Sequence, residues 1–100
     1  MVICGAKHPA RDLTAANLDE SDRRAIQILE SAKPEIEAQL GKELKVFKPK
    51  QYQAQVVAGM NYFYDIQIGE DPGQMLNVTI WSKVNGTSQV TSVLRSESDV

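Results

Sequence analysis

One hundred residues, 42% hydrophobic and 24% charged, suit one folded domain with one core, residues 1–100, rather than a disordered chain. A chain of this size buries roughly two-thirds of its unfolded surface. The net charge of -2 gives no electrostatic case for nucleic acid or for an anionic membrane as partner.

Cys4 is the single cysteine, so no internal disulfide can form. The opening Met1-Val2-Ile3-Cys4-Gly5 is too short for a signal-peptide core, and no stretch is long enough to span a bilayer. A reducing, cytoplasmic compartment is therefore expected. On that reading the glycosylation sequons Asn77-Val78-Thr79 and Asn85-Gly86-Thr87 are chance matches.

Residues 1–18 mix Gly, Pro, Ala and polar types without a period and read as an extended arm. Residues 19–40 read as a helix. Asp19 or Ser21 can cap it, acidic residues crowd its first turn, and Gly41 is a good stop. Ala25, Leu29, Ala32, Ile36 and Leu40 recur at helical spacing and share one face. Pro34 removes a backbone donor, which predicts a bend or two abutting helices.

Residues 43–58 read as a long strand, with Pro49 at an edge or a bulge. Residues 60–69 alternate, with Met60, Tyr62, Tyr64, Ile66 and Ile68 on one face. Asp71-Pro72-Gly73 is a turn. Residues 75–84 place Leu76, Val78 and Ile80 on one face and Trp81 on the other. Asn85-Gly86 suits a type I′ hairpin turn, and residues 88–95 form the last strand. Consecutive strands with short loops make an antiparallel meander. The fold class is therefore α+β, one helix packed across a sheet of four to five strands.

Between two strands, where polar turn residues are usual, stands Gln55-Val56-Val57-Ala58-Gly59. An exposed apolar tip points to a binding surface. In a meander alternate loops share one end. The loop near residue 58 and the loop at residues 85–86 therefore meet, with the loop at 70–73 opposite. The helix begins at the shared end, so the arm around Gly5 can reach it too. The three segments would form a narrow, mostly hydrophobic wedge.

Other features have plainer readings. Cys4 and His8 supply too few ligands for zinc, and no metal or cofactor is expected. Lys42, Lys45, Lys48 and Lys50 read as a solvated strand face rather than a nucleic-acid stripe. Tyr62, Phe63 and Tyr64 read as sheet packing. Trp81 is assigned no site. No acid–base pair, phosphate loop or partnered nucleophile supports an enzyme, so no catalytic residue is expected.

At these residues the sequence resembles the cystatins, and among them the stefins (type 1). The resemblance rests on Gln55-Val56-Val57-Ala58-Gly59 (the QVVAG motif), Asn61-Tyr62-Phe63, Cys4-Gly5-Ala6 and Lys33-Pro34 within the helix. It covers most of the chain and accounts for Pro34 as a family feature. It implies a cystatin-like fold and reversible, competitive inhibition of papain-like cysteine proteases such as cathepsins of the L and B type. Ile3, Cys4, Gly5 and Ala6 would form the arm contact, and Gln55, Val56, Val57, Ala58 and Gly59 the first hairpin. Val84, Asn85 and Gly86 would form the second hairpin. That hairpin departs from the family's Leu-Pro or Pro-Trp type, and the tail is shorter and more polar than in typical stefins. A non-inhibitory binding module of the same fold is the alternative. The active form is expected to be a monomer. Strain in stiff valines at the tip would favour hairpin opening and a domain-swapped dimer.

Overall fold

The computed structural model describes residues 8–70 and 74–97. The elements are β1 (Arg11–Asp12), α1 (Glu20–Leu40), β2 (Lys48–Val57), β3 (Gly59–Gln67), β4 (Gln74–Ser82) and β5 (Ser88–Glu97). The five strands form one antiparallel sheet in the order β1-β2-β3-β4-β5, with α1 packed on one face. The expected one-helix meander is thus present, with part of the arm serving as its fifth strand.

Local chemistry sets the helix ends. The Asp19 carboxylate accepts from the Asp22 N–H at 2.8 Å, and the Asp22 carboxylate accepts from the Asp19 N–H at 3.0 Å. This reciprocal pair satisfies two donors that a helix start otherwise leaves open. At the other end Gly41 takes a left-handed conformation, φ 75°, and its N–H donates to the Glu37 carbonyl at 2.9 Å. α1 is continuous through Pro34, not split into two helices. Pro34 and Glu30, whose carbonyl loses its usual partner, are both exposed, so solvent can satisfy that carbonyl.

The core follows the two periodicities. Ala25, Leu29 and Ile36 from α1 are buried against Tyr52, Tyr62, Tyr64, Ile66, Leu76, Val78 and Ile80 from the sheet. Ala32, Leu40, Met60 and Ile68 complete it as half-buried neighbours. Tyr52, Tyr62 and Tyr64 form a tilted ring cluster with centroids 6.1 to 6.2 Å apart. The buried Tyr64 hydroxyl donates to the Ala25 carbonyl at 2.7 Å, tying sheet to helix.

Three expectations need correction. β2 begins at Lys48, not at residue 43. The Leu44 N–H donates to the Glu37 carboxylate at 2.8 Å, so the segment after α1 folds back on the helix instead of joining a ladder. As a result Lys42 and Lys45 precede the strand; both are exposed, as is Lys48. The chain does bulge beside Pro49, where Lys50 has no partner in the register between Pro49↔Ile66 and Gln51↔Asp65. Second, Asn85-Gly86 is not a type I′ turn. Only Gly86 has positive φ, 93°, whereas type I′ requires it at both central residues. The Gly86 N–H donates to Lys83 and the Lys83 N–H to Thr87, closing a three-residue loop, Val84-Asn85-Gly86. Third, no valine carries a strained positive φ at the first tip. Gly59 takes that conformation, φ 99°. The expected turn at Asp71-Pro72-Gly73 lies outside the described residues.

Candidate binding edge built from two hairpins

β2 and β3 pair to the end of their ladder, with Val56↔Met60 and Val57↔Gly59, which leaves Ala58 alone at the apex. A reversal this tight needs positive φ at its exit, and glycine reaches it without penalty. Gly59 is also confined. A Cβ there would lie 2.2 Å from the Ser82 carbonyl oxygen and 3.2 Å from the Lys83 Cα. The first tip therefore rests directly on the end of β4, where the second loop begins.

A side chain reinforces that contact. The Trp81 indole Nε1–H donates to the Ala58 carbonyl at 2.9 Å. The Lys83 Nζ stands 5.3 Å from the centre of the Trp81 ring, within cation–π range. Inside the second loop, the Asn85 carboxamide oxygen accepts from the Thr87 N–H at 3.1 Å and the Thr87 hydroxyl at 2.8 Å. Asn85 is thus engaged in shaping its own loop.

The apolar residues at this end face outward. Val56 is 49% exposed and Val84 81%, two of the three large hydrophobic residues exposed among those described. Ala58 is exposed as well, while Gln55, Val57 and Gly59 are half-buried. The structure thus brings both predicted hairpins to one end. The first half of α1 lies there too, with Arg24 and Ile28 near Gly86 and Ser88.

Ile3, Cys4, Gly5 and Ala6 lie outside the described residues. The described part of the arm is firmly placed. The His8 N–H donates to the Ala54 carbonyl at 2.8 Å, Arg11 and Asp12 pair with Tyr52 and Gln51, and Leu13 is buried. Arg11 also reaches the helix start. Its guanidinium donates to both carboxylate oxygens of Asp22, at 3.0 and 2.7 Å, and to Asp19 at 3.1 Å. Asp22 is 1% exposed and also accepts from the Tyr52 hydroxyl at 2.9 Å.

The charges here are set by these bonds. The Arg11 hydrogen bonds hold the Asp22 carboxyl well below the usual carboxylate range; burial opposes them but is outweighed. The guanidinium is correspondingly held in its charged form, chiefly by Asp22. Burial, then the Asp22 hydrogen bond, pushes the Tyr52 phenol upward.

Sequence reasoning missed Trp81 and the Arg11–Asp22–Tyr52 cluster. For Trp81 the sequence shows only a large aromatic on the face opposite Leu76, Val78 and Ile80; its partner Ala58 becomes visible only through the β3–β4 register. The ion pair had no signal, because nothing in the local spacing marks Asp22 as buried.

The matches to known proteins agree with this architecture. A family model of the cystatin domain matches residues 14–94, and the chain belongs to the cystatin family, whose members are protease inhibitors and not enzymes. It is 35% identical over 79 residues to a Cystatin-B of Paralichthys olivaceus, covering 78% of this chain and 81% of that protein. It is 31% identical over 70 residues to a Cystatin-B of Ovis aries, covering 70% and 63%. It is 41% identical over 44 residues to Stefin-C of Bos taurus, covering 44% of each. Within the family the chain is a stefin-type cystatin. Among the described residues no helix is long and apolar enough to cross a membrane.

Proposed function

We propose that this chain reversibly and competitively inhibits papain-like cysteine proteases of the cathepsin L and B type. A hydrophobic wedge would enter the active-site cleft. The observation that carries the reading is the juxtaposition of the Val56–Ala58 tip with Val84 at one braced end of the sheet. An apolar edge of this kind is costly to leave in water and well suited to a narrow groove.

The energetics are adequate. Fully burying a valine contributes roughly 1.5–3 kcal/mol. Scaled by their exposures, Val56 and Val84 together supply roughly 2–4 kcal/mol, roughly 30- to 700-fold in affinity. The rest would come from the arm and from preorganisation, since stiff valines on a paired hairpin lose little freedom on docking. Gly5 stands three positions before His8, as Val57 stands three positions after Ala54. An arm continuing extended from His8 would therefore bring Gly5 level with the first tip. Glycine there would let the backbone pass close to a protease without a Cβ clash.

A tip that blocks the nucleophile without offering it a peptide carbonyl is not cleaved, so the chain itself needs no catalytic group. We place its action in the cytoplasm as a monomer, in keeping with its lone cysteine. Titration against papain and a cathepsin L-like enzyme tests the proposal. Stoichiometric inhibition at nanomolar concentration is expected. No inhibition at micromolar protein would leave the alternative, a binding module of the same fold.

A further inference from the structure

We propose that Trp81 is a positioning residue for the first hairpin, its indole fixing the Ala58 carbonyl so that both hairpin ends meet a protease as one rigid edge; this rests on the inhibitory reading above. Ala58 is the one residue left outside the ladder between the Val57↔Gly59 pair. An apex carbonyl of that kind ordinarily bonds to water, and the apex is free to rock. Here it accepts at 2.9 Å from the indole of a neighbouring strand. Trp81 occupies the sheet face away from the core, opposite Asn61, and its ring must reach back three residues, past the start of β3, to find Ala58.

Two further contacts make the link directional. Lys83 stands 5.3 Å from the ring centre, so the indole is held between the sheet and a cation. The Gly59 backbone lies so close to Ser82 that no side chain fits between them, and Met60 pairs with Ser82 in the register. β4 therefore grips the tip at three successive residues: the Ala58 carbonyl, the Gly59 backbone and the Met60 pair. Because Trp81 and Lys83 lead directly into Val84, displacement of one apolar tip displaces the other. An edge ordered before encounter loses less freedom on docking, and its effect falls mainly on the dissociation rate.

The test uses Trp81→Phe, which keeps a ring beneath Lys83 and removes only the donor. Inhibition of papain is expected to weaken about three- to tenfold, the worth of one net hydrogen bond, with the change in the dissociation rate. Amide hydrogen exchange should accelerate at Val57–Met60 and stay unchanged at Tyr62–Ile66, a pattern that general loosening of β3 would not give. In the parent, the single indole N–H resonance should exchange slowly with solvent. If the parent inhibits and Trp81→Phe inhibits equally, the positioning role is overturned while the inhibitory reading stands. Indole exchange at the rate of free tryptophan overturns it independently of how the variant folds. If the parent itself does not inhibit, the inhibitory reading fails and the proposal with it.

Discussion

Replacing Asp22 with alanine tests the account of how the arm is fixed to the helix. The substitution leaves the Tyr52 hydroxyl, on a residue 4% exposed, without its acceptor. An unsatisfied buried hydroxyl costs about 1–3 kcal/mol. The Asp19 N–H also loses its partner in the reciprocal cap, worth about 1 kcal/mol. Alanine's better helix propensity returns about 0.5 kcal/mol. These contributions sum to about 1.5–3.5 kcal/mol, which at this chain length lowers the melting temperature by roughly 6–28 °C, and loss of the two Arg11 hydrogen bonds to Asp22 adds to the effect. Because small domains are stable by about 5–15 kcal/mol, the variant should still fold.

The pH dependence gives a second, sharper reading of the same variant. In the folded protein the Asp22 carboxyl titrates below its ordinary value of 3.8, first because of its hydrogen bonds from Arg11. A depressed folded value means that, below ordinary carboxylate pH, the unfolded chain takes up more protons, so stability rises with pH. The contribution of Asp22 is complete above the unfolded value and drains away as pH falls toward the folded one. Arg11 and Tyr52 are shifted upward and keep their protons throughout this window. Asp12 is also lowered, by its bonds from Thr14, but it is common to both proteins and cancels. Urea denaturation at pH 7, 5 and 2.5 should therefore show a constant difference between parent and variant at the first two values and a smaller one at the third. A difference below about 0.5 kcal/mol at pH 7 would refute the buried-cluster account. An unchanged difference at pH 2.5 would refute the assignment of the charge.

Four other outcomes are expected. Gly59→Ala should destabilise and weaken papain inhibition, since its Cβ would meet the Ser82 carbonyl; Gly86→Ala, with positive φ but open space around it, should cost only about 1 kcal/mol by thermal melting. Gly5→Arg and Val57→Asp should each weaken inhibition at least about tenfold with the circular dichroism spectrum unchanged, because the proposed function has both residues meet the protease. Tyr64→Phe should cost about 1 kcal/mol in urea denaturation without changing inhibition, as its hydroxyl bonds only within the core, to Ala25. Any dimer that appears on size-exclusion chromatography after mild heating should not inhibit, because hairpin opening removes the first tip; an inhibitory dimer would count against that route.

How far the sequence revealed the molecule depends on the range of the interactions involved. The helix between Asp19 and Gly41 was legible because both signals act within a turn of the ends they set. β3 and β4 were legible because burial on one face imposes strict alternation, as in Tyr62, Tyr64 and Ile66 against Leu76, Val78 and Ile80. The start of β2 was not legible because Leu44 and Val46 are spaced as on one strand face, whereas the Leu44 N–H is taken by Glu37. The Asn85-Gly86 turn was misread for a related reason. Dipeptide preference is local, but loop length follows from pairing Ser82 with Ser88 across the hairpin. The two tips could be placed together from topology alone. The contacts that hold them, Trp81 to Ala58 and Gly59 to Ser82, join residues 23 apart in both cases and leave no periodic trace.

Trp81 is also the only tryptophan in the chain. Its near-ultraviolet emission therefore arises from one ring, bonded to the apex of the proposed binding edge and roofed by a lysine. Hairpin opening, loss of the lysine roof and contact with a partner would each change the polarity or quenching around that single ring. Intrinsic fluorescence, usually a sum over many sites, would here be a local optical gauge of one tip, available without any label.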